Sequence, residues 1–252
     1  LQPINGDVRL KLPPQLRALS FQRFEMPKLY HFPLDPFGRR MRLALAEYGA
    51  AFEAIEQKPW EHDPVIYKLN PAGTVPILVE DNGLAISGIE ALTEYLEETR
   101  VGKLALIPGN AAERAEVRRL VGWFDTKFYA EVSEPVLTEK IIRRFLTREQ
   151  GGGAPDIGRV RKALERVKHH LDYLSMLVDA RKWLGGDHFS LADLAAASHL
   201  SAVDYLGDVP WNDFKLAKVW YQRIKSRPSF RPLLSDSVRG VSAPPAYADL
   251  DF

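Results

Sequence analysis

The chain has 252 residues, 46% of them apolar, enough to bury a substantial core in one large or two modest domains. Its 34 basic and 33 acidic side chains leave a net charge of +1, so no overall field recruits nucleic acid or an anionic membrane. Cysteine is absent, which removes disulfides, thiolate catalysis and thiolate metal sites together.

Leu1 to Glu25 lacks the apolar centre of a signal peptide, and no apolar run approaches the length of a bilayer span, so the sequence reads as that of a cytosolic globular protein without membrane insertion. The run QLRALSFQRF within that stretch has the character of a short helix, and residues 1–25 read as an extension or expression remnant. Lys28 to Phe32 is expected as a strand, Arg39 to Glu47 as a helix closing at Gly49, and Phe52 to Gln57 as a second strand. Gly73 to Glu98 is the densest stretch. Val75-Pro76 opens an apolar strand, Ile77 to Val79, where a proline is accommodated by a cis bond; Asp81-Asn82-Gly83 turns it back through Leu84 to Ile86, and Ile89, Leu92, Tyr95 and Leu96 then repeat at helical spacing.

Residues 99–110, with Gly102, Pro108 and Gly109, have a linker's composition, and beyond them the pattern is helical. Ala111 to Phe145 carries Leu120, Trp123, Phe124 and Phe128 at three- and four-residue steps, which reads as core; Gly151 to Gly153 interrupts, and Ile157 to Val178 resumes the period. Ser190 and Asp193 have capping-box spacing with Phe189 as a staple, and Trp211 to Ile224 is a last helix stopped near Pro228. The fold class is therefore an α/β thioredoxin-like N-terminal domain, 26–98, followed by an all-α domain, 111–235, and a tail, 236–252.

The strand-turn-strand-helix order around Val75-Pro76 resembles the second half of the thioredoxin-like domain of glutathione S-transferases, and the resemblance extends over most of the chain. It implies that the backbone of the residue before the cis proline pairs with the cysteinyl part of glutathione, and that an acidic-Ser pair opening the next helix holds the γ-glutamyl end. Counted without gaps from Val75-Pro76, that pair falls on Gly88 and Ile89, whose side chains offer no partner. The thiol-activating hydroxyl of Ser-type relatives falls on Asp35, and that of Tyr-type relatives on His31; Tyr30 should face the other side of its strand. An ionised Asp35 repels a thiolate and is better placed as a helix cap before Pro36. Asp35, Val75, Pro76, Gly88 and Ile89 thus form a degenerate glutathione site, with no catalytic residue, no cofactor, and weak or absent glutathione binding expected.

The six histidines, His31, His62, His169, His170, His188 and His199, have no metal-ligand spacing, and neither a GxSxG elbow, a Walker loop nor a GxGxxG occurs. Two stretches suit partners. In KPWEHDPVIY, Trp60 is either an exposed interface anchor or folds down on its own domain. The tail GVSAPPAYADLDF is either a strap on the body or a recognition peptide. Together with the stripped site, the ending AYADLDF resembles the FtsZ-localised protein A group of alphaproteobacteria. That resemblance implies a cytosolic homodimer at the division site that binds and organises FtsZ filaments without transferase activity. It places Trp60 and Val65 in the FtsZ-binding region, and Tyr247, Asp249, Leu250, Asp251 and Phe252 in a tail leading to the septal cell-wall synthesis machinery. A glutathione transferase with unusual residues, or a transcription accessory protein of the stringent-starvation type, are the alternatives; neither accounts for the tail.

Overall fold

The computed structural model describes residues 26–100 and 105–252. The helix expected in QLRALSFQRF and part of the linker lie outside the described residues. The first domain is a four-stranded sheet of order β2-β1-β3-β4, built from β1 (Lys28–His31), β2 (Glu53–Glu56), β3 (Ile77–Val79) and β4 (Ala85–Ser87). β1 runs parallel to β2, with Tyr30 opposite Ile55, and antiparallel to β3, with Leu29 opposite Leu78. The Val75-Pro76 bond is cis. The turn into β4 is set by Gly83, at φ +82°, whose N–H reaches the Glu80 carbonyl, while Asn82 Oδ1 accepts from Leu84 N. β4 begins one residue later than the apolar pattern suggests, because Leu84 is spent on this turn and left 40% exposed.

Helix α1 (Pro36–Glu47) starts three residues earlier than its periodicity indicates. Asp35 caps it by accepting from Gly38 N at 2.7 Å, and Pro36 occupies the first helical position, where a missing N–H costs nothing. α2 (Pro64–Leu69) follows β2 through a 3-10 turn, Pro59–Glu61, and α3 (Ile89–Thr99) follows β4.

The second domain opens with α4 (Ala111–Gly122), whose Asn110–Glu113 capping box is complete. Wider π-helical turns, Trp123–Ser133, join it to α5 (Glu134–Lys140), where the sequence suggests uninterrupted α-helix. That segment reaches three helices at once: Asp125 pairs with Arg40 of α1, Trp123 and Glu131 bond His170 of α6 (Ile157–Ala180), and Ser133 bonds His199 of α7 (Leu191–Asp204). Every residue of α7 is buried. Its start is fixed by Asp193, which accepts from Leu184 N, Ser190 N, Ser190 Oγ and Trp220 Nε1. α7 packs along α1, so one continuous core joins the two domains.

α8 (Lys215–Lys225) and α9 (Arg231–Leu234) precede the tail, which contains one helical turn, α10 (Pro245–Ala248). The tail is strapped down. Tyr247 is buried, accepting from Arg39 Nη1 and donating to the Leu233 carbonyl, both at 2.9 Å. Lys225 Nζ donates to the carbonyls of Ala246 and Asp249 and lies 3.9 Å from the centre of the Phe252 ring. Among the described residues, no helix is long and apolar enough to cross a membrane.

Candidate functional site

A cleft of about 430 Å³ separates the N-terminal edge of α1 and the β3 entrance from α5. The five positions of the degenerate glutathione site all line it: Asp35 from the start of α1, Val75 and Pro76 from the cis turn, Gly88 and Ile89 from the start of α3. Gly88, at φ +86°, occupies the N-cap position of α3 and makes no side-chain cap bond, so the helix start faces the cleft with backbone alone. The helical domain contributes Tyr129, Glu134, Leu137, Thr138 and Ile142. Sequence reasoning missed these five, because their register follows from the π-helical turns and not from an α-helical period.

Trp60 also lines the cleft. Its ring meets Phe32 edge-on, with centroids 5.0 Å apart, and stacks on Phe145 of the second domain at 5.5 Å. Of the two readings of Trp60, the structure has it folded down, and onto both domains: it is half-buried as a clasp at the cleft wall. Val65 stands away from the cleft, on α2, and is 49% exposed.

His31 does not reach the cleft. It is buried beside Arg42 and Asp236, and burial, with Arg42 second, pulls its imidazole down to about 4. Tyr30 does face the opposite side of the sheet, against Ile66, Ile77 and Val79. Neither transferase-type position therefore brings an alcohol or phenol hydroxyl to the cleft. Asp35 is a cap as expected, but it is not simply an ionised carboxylate. Burial pushes it up to about 7, against the pull of the Gly38 and Phe37 N–H groups. Tyr129 is raised as well, by burial and then by Asp35 and Glu134, which makes it a poor donor of a thiolate-stabilising proton. Among the described residues, no Lys, Arg or His lines the cleft.

Behind the cleft lies a trio of suggestive composition. Ser133 Oγ is 2.8 Å from His199 Nδ1, and His199 Nε2 is 3.5 Å from Asp125 Oδ1. Nucleophilic catalysis requires access, and Ser133 and His199 are both 0% exposed, while Asp125 is committed to Arg40. Burial also holds His199 below its ordinary value. The trio is a packed polar core. Among the described residues, no group of three or more His, Cys, Asp or Glu could hold a metal.

The profile of the glutathione S-transferase N-terminal domain matches residues 29–103, and that of the C-terminal domain residues 140–228. FtsZ-localized protein A of Caulobacter vibrioides is 46% identical over 89% of this chain and 97% of its own length. The chain belongs to the glutathione S-transferase-like superfamily, in the group of FtsZ-localised protein A. A solved structure of FzlA from C. crescentus superposes with a TM-score of 0.85 at 46% identity, covering 90% of this chain and all (100%) of that one. A glutathione S-transferase from Rhodospirillum rubrum F11 gives 0.86 at 48% identity, with 90% and 100% covered. The homology supports a role in cell division on a transferase-like fold.

Proposed function

We propose that this protein is a non-catalytic transferase-like homodimer that binds FtsZ filaments at the division site and organises them, while its tail connects to the septal cell-wall synthesis machinery. The observation that carries the non-catalytic half is the lining of the cleft. Glutathione brings two carboxylates against one ammonium and, when reactive, a thiolate, so its net charge is negative; the lining offers it the carboxyls of Asp35 and Glu134 and, among the described residues, no cation. Each charged hydrogen bond that Gly88 and Ile89 fail to make forfeits roughly 1.5 to 3 kcal/mol, or tenfold and more in affinity. The FtsZ half is supported by the 46% identity to a protein named for its FtsZ localisation. Two copies per dimer of a surface around Trp60 and Val65 would bridge or curve filaments through avidity.

Co-sedimentation with FtsZ polymers tests the partner, and calorimetric titration with glutathione tests the cleft. Pelleting with filaments and no saturable glutathione binding at micromolar concentration are expected. A micromolar Kd for glutathione, or conjugation of a chlorinated aromatic well above the uncatalysed rate, would restore the transferase reading.

A further inference from the structure

We propose that the interdomain cleft is a binding site for an organic monocation with an apolar body, of the aryl-alkyl amine class, and that Asp35 is its charged partner. This shares with the proposed function only the premise that glutathione is not the ligand of the cleft, and it is independent of FtsZ.

At about 430 Å³ the cleft lies within the size range of sites for drug-sized molecules. Four aromatic rings from both domains, Phe32, Phe37, Trp60 and Tyr129, stand in its lining, and the faces of such rings attract cations. Its two carboxyls are not equivalent. Glu134 is already matched, receiving Arg159 Nη2 at 2.5 Å and Thr138 Oγ1 at 3.1 Å. Asp35 forms no ion pair among the described residues; the arginines nearest to it in sequence, Arg39 and Arg40, are paired with Asp236 and Asp125. Its Oδ2 accepts from Gly38 N, and the apolar walls push its carboxyl up to about 7, so a cation beside it recovers an ionisation that burial disfavours. Lys58 does not reverse this polarity, since its Nζ is 3.1 Å from Glu61. Apolar surface, aromatic rings in the lining and one carboxyl without an ion pair among the described residues together define an amine-shaped preference.

The test is calorimetric titration of the full chain at neutral pH with three probes of matched shape: phenethylamine, phenethyl alcohol and phenylacetate. The amine should bind about tenfold more tightly than the alcohol, and phenylacetate more weakly than either. Asp35→Asn keeps the size of the side chain and a residue that caps helices equally well, and it should remove the preference for the amine. Glu134→Gln should leave the preference in place. Equal or tighter binding of phenylacetate, failure of the amine to saturate at millimolar concentration, or an unchanged preference in a folded Asp35→Asn protein would overturn the assignment. Should Asp35→Asn fail to fold, the order of the three probes on the unaltered protein decides. Glutathione displacing the amine would break the non-catalytic reading while leaving that order to judge the cation site.

Discussion

The two domains meet twice, and the two meetings are built from opposite chemistry. At the cleft the contact is a clasp of rings, Trp60 between Phe32 and Phe145, beside an open cavity. Along the buried side of α1 it is a seam of arginines. Arg39 and Arg42 share the Asp236 carboxylate, Arg40 makes a two-oxygen bond to Asp125, and Arg39 also reaches Ser201 and Tyr247. All three arginines are buried. Guanidinium groups suit such a place because the planar fork stays charged and matches carboxylates in direction. The seam and the ring contacts, Trp60 on Phe145 and Phe37 on Tyr129, together fix how the domains sit around the cleft.

The strongest break of this contrast is Asp236→Ala. It strands two buried guanidiniums, and a buried pair that loses one partner costs about 3 to 5 kcal/mol. Urea denaturation should show that loss, whereas an equal loss from Glu165→Ala, whose exposed pair with Lys168 is worth less than about 1 kcal/mol, would deny the seam its importance.

On the cleft side, Trp60→Ala should remove about 2 kcal/mol or more of FtsZ binding and abolish co-sedimentation. Because Trp60 also clasps the two domains, its unfolding midpoint must be measured beside it. Val65→Ala, at an exposed site on α2, separates the effects: it should weaken pelleting with little change in stability. Wild-type pelleting by both variants would remove this surface from the FtsZ reading.

Acid should act on the polar core and on the cleft with opposite signs. His170 accepts from Trp123 Nε1 through Nδ1 and so donates to Glu131 through Nε2, which fixes it neutral, and burial holds it at about 4 against an ordinary 6.5. Its contribution is present above pH 6.5 and lost as pH falls towards 4; Asp35, raised to about 7, contributes with the opposite sign as pH falls from 7. Comparing variants cancels the Asp35 part. His170→Gln, which preserves one acceptor and one donor, should lose less stability between pH 7 and pH 4 than the unaltered chain; equal slopes would contradict the assignment.

The smallest effect is expected in the tail. Asp249, Leu250 and Asp251 are exposed, whereas Tyr247 is buried and Phe252 packs on Trp211 and Tyr221. Leu250→Ala should leave FtsZ pelleting unchanged and shift stability by less than about 0.5 kcal/mol. A large shift in either would mean the outer face of the tail is part of the body.

Local chemistry made half of this molecule legible. The cis Val75-Pro76 turn, the Asp35 cap and the Ser190–Asp193 pairing are each written within a few neighbouring residues, whereas the cleft positions Asp35, Val75, Pro76, Gly88 and Ile89 came from the resemblance to glutathione S-transferases. The seam was not, because nothing near Arg39, Arg40 or Arg42 in sequence distinguishes a buried arginine from a solvated one; their carboxylates lie 85 to 197 positions away. The partner of Trp60 was hidden in the same way, Phe145 belonging to the other domain. The π-helical turns were hidden differently, since their residues keep an apolar spacing compatible with ordinary α-helix.

The bond from Arg39 to Tyr247 spans 208 positions, almost the whole described chain. On a ribosome adding about 5 to 20 residues per second, α1 therefore emerges roughly 10 to 40 seconds before its last partner exists. Arg40 meets Asp125 after 85 positions, Arg39 and Arg42 wait for Asp236, and Tyr247 closes the seam last. A chain cut before Tyr247 would lack that closing contact and leave Arg39 without one of its buried partners.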